Sequence, residues 1–395
     1  MDFITVFGIF STVIVTVIGV GVFSYPREVV SIAGTDGSVV TVAAGFLAYV
    51  LIYIAYRTIK SNGYNKLSTI LENNFGKIFG GILAVIFAVY NIFTISVGMR
   101  IFIEVIKMYL LEKTPTEFLV IVTIFLGIYL VRSKLENLIK FNEVSFWILF
   151  ISIGLIFLFT LNKTDFTNNL PIFTNKPYVY ITALKSAIYN FAGIEIIYII
   201  GPFIKNKSGI NKAIVKSILF ITIFYVIVVV FSLAIFSKEQ TKILLWPTIT
   251  MINSINVEGA FIERWEGVVM ALWVIFYFTT FSNIYYLSSD IVKDVFRLGD
   301  VKLSSALIAP IIYMIALYPQ NIAQLYAISN KFIPPLFIYS LIILPIVLLL
   351  FGKAKKKGNV NKIMSLLLIC TLLTGCWDKV EIERTELVSI IGIDA

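Results

Sequence analysis

Residues 19–27 read GVGVFSYPR, and they fall inside an apolar run that extends without an acidic or basic residue from Phe3 to Pro26. Two glycines and a proline so close together break a helix, because glycine loses most backbone freedom on ordering and proline removes an N–H donor. A broken helix of this hydrophobicity is tolerated only where its freed backbone groups are buried in protein or line a cavity. This stretch is therefore the first sign of a membrane protein built around an internal site.

The rest of the chain agrees with that reading. Of its 395 residues 59% are hydrophobic, with 33 Phe and 20 Tyr, and only 14% are charged. The mean hydropathy is +0.93. That exceeds what a soluble core can hide. Charges cluster between apolar runs of about 20 residues, the length of helix that crosses a hydrocarbon layer of about 30 Å.

Ten runs are predicted: a broken one at 3–26, then 37–56, 78–106, 118–131, 144–161, a second broken one starting near Ser186, then 217–237, 267–289, 303–317 and 332–352. The second break is Phe-Ala-Gly-Ile-Glu at 191–195, followed by Gly201 and Pro202. Divided five plus five, the runs put the two breaks in equivalent places, at runs one and six. Paired breaks of this kind point to a transporter-type site at the midplane.

The expected fold is an all-α polytopic membrane protein, ten transmembrane helices in a five-plus-five repeat with helices 1 and 6 broken. The unwound turns at Gly19, Val20 and Gly21 and at Phe191, Gly193 and Ile194 would offer backbone N–H and C=O groups to a small ligand's carboxylate and ammonium. Runs three and eight would complete the walls with Ser96, Val97, Thr279, Thr280 and Asn283. Glycines in membrane helices also serve close packing, and the pairing of the breaks is what favours a site. Glu195 in the second break is a candidate for proton or ion coupling, or else a structural partner for a buried hydroxyl or lysine. Arg100 and Glu104, one turn apart near the end of run three, are expected to form an intrahelical pair reaching the interface. Arg27 and Glu28, which follow Pro26, fit an outer gate, and capping or a simple interface placement explains them as easily.

The net charge is +9, but no basic segment is interleaved with aromatics, so nucleic acid is not an expected partner. The chain has no His, which removes the usual metal ligand and His-dependent hydrolytic triads. No metal, no cofactor and no enzymatic activity are expected. Cys370 and Cys376 both lie near the C-terminus, so no disulfide framework is expected in the body. Placing the N-terminus in the cytoplasm puts 19 loop Lys and Arg inside against nine outside. The longest outside loop, 238–266, carries Trp246, Pro247 and Trp265 and is expected to lie against the membrane surface.

Three stretches carry a family resemblance: the run at 19–27, FAGIE at 191–195, and RIFIEVI at 100–106 with Thr114-Pro115 behind it. Together they resemble the membrane-embedded B subunit of spore germinant receptors, within the amino acid, polyamine and organocation transporter superfamily. The resemblance covers residues 1–352. It implies the LeuT-type inverted repeat and a receptor in the spore inner membrane for a small nutrient germinant, commonly an amino acid. It also implies A-type and C-type receptor subunits as partners, beside membrane lipids.

The tail resembles a neighbour of that family. Residues 366–383 read LLLICTLLTGCWDKVEIE, like the start of a lipoprotein C subunit. A basic stretch plus an uncharged segment, 353–375, resembles a lipoprotein signal, too short for an ordinary span. Cys376 would take the lipid, and 376–395 would be the truncated start of a C-subunit-like domain.

Overall fold

The computed structural model describes residues 4–204, 207–254 and 265–357. The chain divides into a unit Met1–Leu349 and a unit Leu350–Ala395. Of the second unit only the end of one helix is described. Cys376 and nearly all of the signal-like tail lie outside the described residues.

Every described element of the first unit is helical. The first run is α1 (Val6–Val17) and α2 (Gly21–Ala33), with Ile18–Val20 between them, and α3 (Gly37–Ser61) is the second. A short α4 (Leu67–Phe75) precedes α5 (Lys77–Tyr109), α6 (Thr116–Val131) and α7 (Leu135–Thr160), which are runs three to five. The sixth is α8 (Pro177–Ile188), a pair of 3-10 turns, and α9 (Ile197–Ile200). Then come α10 (Ile210–Ile243), a short α11 (Pro247–Asn253), α12 (Trp265–Phe296), α13 (Val301–Leu317), α14 (Ile322–Phe337) and α15 (Leu344–Lys357). All ten expected runs are thus helical, the first and sixth broken. Among the described residues six helices or helix runs are long and apolar enough to cross a membrane, and the pair 177–191 and 194–203, bent by 45°, makes a seventh. Val6–Val17, Thr116–Val131 and Val301–Leu317 are shorter apolar helices.

Helix ends follow local chemistry. The Thr5 hydroxyl caps α1 by accepting from the Gly8 amide at 2.9 Å. Asn321 accepts from the Gln324 amide at 2.9 Å while Gln324 accepts from the Gln320 amide at 2.8 Å, a box closed from both sides at the start of α14. Pro177 and Pro247 open α8 and α11, where their missing N–H costs nothing.

Pro26 sits inside α2 and leaves the Val22 carbonyl without its helical donor. The Thr248 hydroxyl on α11 supplies one at 2.7 Å. This corrects the expectation for the 238–266 loop. Trp246 is 2% exposed, and its ring N–H donates to the Tyr326 hydroxyl at 3.0 Å, so Pro247–Asn253 packs into the bundle rather than lying on a membrane surface. Satisfying a proline-orphaned carbonyl is a tertiary need that loop composition does not announce. Residues 255–264 of the loop lie outside the described residues.

Arg100 and Glu104 pair within α5 at 2.8 Å, as expected. The guanidinium does not reach outward, however. It is buried, and its second nitrogen donates to the Ala316 carbonyl at 3.3 Å, at the end of α13 where helical carbonyls lack partners. At the opposite end of the bundle Lys66 binds both Asp290 oxygens at 2.8 and 2.9 Å, and Lys293 reaches Asp290 at 2.7 Å. Ser68 on α4 donates to Asp294 at 2.7 Å, which ties α4 to α12.

Candidate functional site

In the first break Ile18 leaves helical geometry, with ψ at 84°. The Gly19 amide turns back to the Val17 carbonyl at 2.9 Å, and the Thr280 hydroxyl on α12 donates to the Val15 carbonyl at 2.6 Å. In the second break Ala192 is extended and Gly193 takes φ +106°, a conformation that favours glycine. The Gly193 amide donates to the Glu195 carboxylate at 2.8 Å, so the acid closes the turn that carries it.

The two breaks meet. A Cβ on Gly193 would stand 2.8 Å from the Thr16 carbonyl, closer than any side chain allows. The Tyr225 hydroxyl on α10 lies 3.0 Å from the Asn190 carbonyl of the second break and 3.4 Å from the Val17 carbonyl of the first. Gly21 makes room for another link between them. A Cβ there would meet the Asn190 side-chain oxygen at 2.5 Å, and the Asn190 amide donates to Glu28 on α2 at 2.8 Å.

Between the breaks, α5, α12 and α14 lies a cavity of about 380 Å³. Of the expected site residues, Gly19, Val20, Gly21, Val97, Gly193, Thr280 and the coupling candidate Glu195 line it. Five others do not. Ser96 turns its hydroxyl to the Ile92 carbonyl at 2.6 Å, and Thr279 turns its own to the Phe276 carbonyl at 2.5 Å, the usual fate of a buried hydroxyl on an apolar helix. Phe191 is buried with its ring 5.4 Å from that of Tyr225, and Ile194 is buried in the core. Asn283 serves helix packing: its amide donates to the Thr16 hydroxyl at 2.8 Å, and its oxygen accepts from Asn142 on α7 at 2.9 Å.

Thr16, Asn142 and Asn190 escaped the sequence reading, although polar residues in apolar runs are the available signal. Tyr326, Ser329 and Asn330 on α14 also line the cavity, and they lie before the predicted run at 332–352, in a stretch whose Asn330 and Lys331 read as loop. Among the described residues there is no group of three acidic, Cys or His side chains fit to hold a metal.

A family model described as spore germination protein matches residues 3–325. Spore germination protein A2 of Bacillus subtilis (strain 168) is 26% identical over 343 residues, which cover 87% of this chain and 93% of that protein. Spore germination protein GerQB of Bacillus cereus is 28% identical over 272 residues, 68% of this chain and 73% of that one. Among solved structures, the substrate-bound outward-open state of a Na+-coupled sialic acid symporter superposes with a TM-score of 0.61 at 12% identity. It covers 86% of this chain and 79% of that one, and it shows the shared LeuT-type fold. Family and fold point to an integral, multi-pass membrane protein of receptor or permease type rather than to an enzyme. With two broken helices facing one cavity and a family match over most of its length, this chain belongs to the spore germination protein family.

Proposed function

We propose that the chain is a nutrient germinant receptor subunit that binds a small germinant, an amino acid in the simplest case, in the cavity between the breaks. The observation that carries this reading is the meeting of both unwound segments at one cavity, with Gly19, Val20, Gly21 and Gly193 on its wall. Occupancy would bias the bundle between two arrangements, and the signal would pass to A-type and C-type subunits in the spore inner membrane. The N-terminus would be cytoplasmic, following the excess of loop Lys and Arg on that side. In the tail, lipid on Cys376 would be visible as a mass increment on the C-terminal peptide.

A second reading, an ion-coupled amino acid permease, is favoured by one feature. Glu195 is a buried carboxylate on the cavity wall, where a transported proton could reside. Purified protein in sealed vesicles separates the two. Binding of L-amino acids without accumulation supports the receptor; saturable uptake driven by a proton or sodium gradient supports the permease. If no amino acid stabilises the protein and none is taken up, both fail.

A further inference from the structure

We propose that the part of the cavity bounded by α2 and α14 is a recognition site for a zwitterion, with Arg27 taking its carboxylate and Glu28 its ammonium. The proposal rests on the reading of the cavity as a ligand site and adds a second, chemically specified position within it.

Two charges on the cavity wall lack a countercharge. Arg27 and Glu28 both line the cavity, and among the described residues neither has an ion-pair partner. They cannot pair readily with each other, because neighbouring residues on a helix point about 100° apart. Both are half-buried, so each is partly withdrawn from solvent on the cavity wall without a countercharge, which leaves it ready to take one from a ligand.

Both side chains are also held in place by neutral groups. The Arg27 guanidinium lies 5.9 Å from the centre of the Tyr326 ring, a contact that orients it while leaving its N–H donors free. Glu28 accepts from the Ser24 hydroxyl at 2.7 Å on one oxygen and from Asn190 at 2.8 Å on the other. Each oxygen keeps a further lone pair for an ammonium. The result is a positive and a negative group held at separate points of the cavity lining, which a molecule carrying both charges satisfies and a singly charged one satisfies only by half. Asn190 belongs to the second break, so a ligand drawing on Glu28 also pulls on the segment that carries Gly193 and Glu195.

The test uses the purified full chain and thermal-shift titration with neutral L-amino acids. Each one that binds is compared with its analogue lacking the amine and its analogue lacking the carboxylate. Arg27→Gln should weaken the amino acid about tenfold and leave the analogue without a carboxylate unchanged. Glu28→Gln should weaken it similarly and spare the analogue without an amine. Arg27→Lys should recover part of the loss. If both Gln variants bind the amino acid like the parent, or weaken all three compounds alike, the zwitterion site is refuted.

Val97→Phe, which narrows the cavity near the breaks, separates this from the reading it rests on. Loss of binding in Val97→Phe with parental binding in the Gln variants overturns only the zwitterion site. Loss in the Gln variants with Val97→Phe unaffected overturns the midplane reading and supports the zwitterion site. No binding of any amino acid to the parent overturns both.

Discussion

Asn283 on α12 donates to the Thr16 hydroxyl on α1 at 2.8 Å, one turn from the place where Thr280 donates to the Val15 carbonyl at 2.6 Å. These two bonds pin the end of the first half-helix to α12. Asn142 extends the chain by donating to Asn283 at 2.9 Å and to the Thr12 hydroxyl at 3.1 Å. Replacing Asn283 by Leu should therefore loosen α1 and α7 together, at a cost of about 1 kcal/mol, the usual scale for bonds between membrane helices. Thermal unfolding in detergent checks the size. A cycle with Asn142→Leu checks the connection, since shared partners make the double variant lose less than the sum of the two single losses.

Gly193 and Gly154 make a matched pair. At Gly193 a methyl group would strike the Thr16 carbonyl at 2.8 Å in a backbone with φ +106°, whereas at Gly154 on α7 nothing lies within 4 Å. Gly193→Ala should destabilise by about 1–3 kcal/mol through backbone strain alone and more through the clash. Gly154→Ala should be neutral or stabilise by about 0.5–1 kcal/mol, as alanine does within a helix. Melting temperatures that fall alike for both variants would contradict this account of the breaks.

Asp36, buried between α2 and α3, accepts from the Phe173, Thr174 and Asn175 amides, the Asn175 side chain and the Tyr180 hydroxyl. It fastens the segment before α8 to the corner of the first broken helix. Asp36→Asn replaces one of the two acceptor oxygens by a donor group that faces other donors. Hydrogen bonds to a charged group are worth about 1.5–3 kcal/mol, so release of the segment should speed amide exchange at 173–175 by about thirtyfold. Exchange within α12 should stay as it was.

Asp165 offers a pH test outside the membrane-spanning helices. Its carboxylate accepts from the Thr167 hydroxyl at 2.6 Å and the Thr167 amide at 3.0 Å, and these bonds hold it below the ordinary carboxylate range. Because the folded value is the lower one, the capping contribution is complete above the unfolded value near 3.8 and fades as pH falls through the folded value. Exchange at the Thr167 amide, corrected for the intrinsic pH effect, should accelerate on acidification in that window. In Asp165→Asn it should not.

The architecture was legible because it rests on composition and interruption. Apolar runs of span length must be helices, and two Gly-marked breaks five runs apart align the halves. The cavity wall was half legible. Gly19, Val20, Gly21 and Gly193 line it because they are the breaks themselves, whereas Ser96, Thr279 and Asn283 share their helices with true lining residues and differ only in which way they face. A helix carrying polar groups in an apolar run does not tell which of them meets a ligand and which one bonds back to a carbonyl. The Thr248 bond to Val22 was invisible for a different reason: it joins residues 226 apart, and only the folded chain brings them together.

Glu195 remains the residue whose replacement tells most about mechanism. Its carboxylate accepts from the Gly193 amide at 2.8 Å, a structural duty that Gln can perform with its own oxygen. Glu195→Gln should then keep the turn and the melting temperature close to the parent. Glu195→Leu leaves the amide unpaired in a buried place and should cost about 1–3 kcal/mol. Function divides the readings. A receptor in which Glu195 only shapes the break should retain ligand binding in Glu195→Gln, whereas a permease that carries a proton on this carboxylate should lose gradient-driven uptake while still binding. Binding and vesicle uptake measured on the Gln variant, with the Leu variant as the structural control, decide which role the buried acid performs.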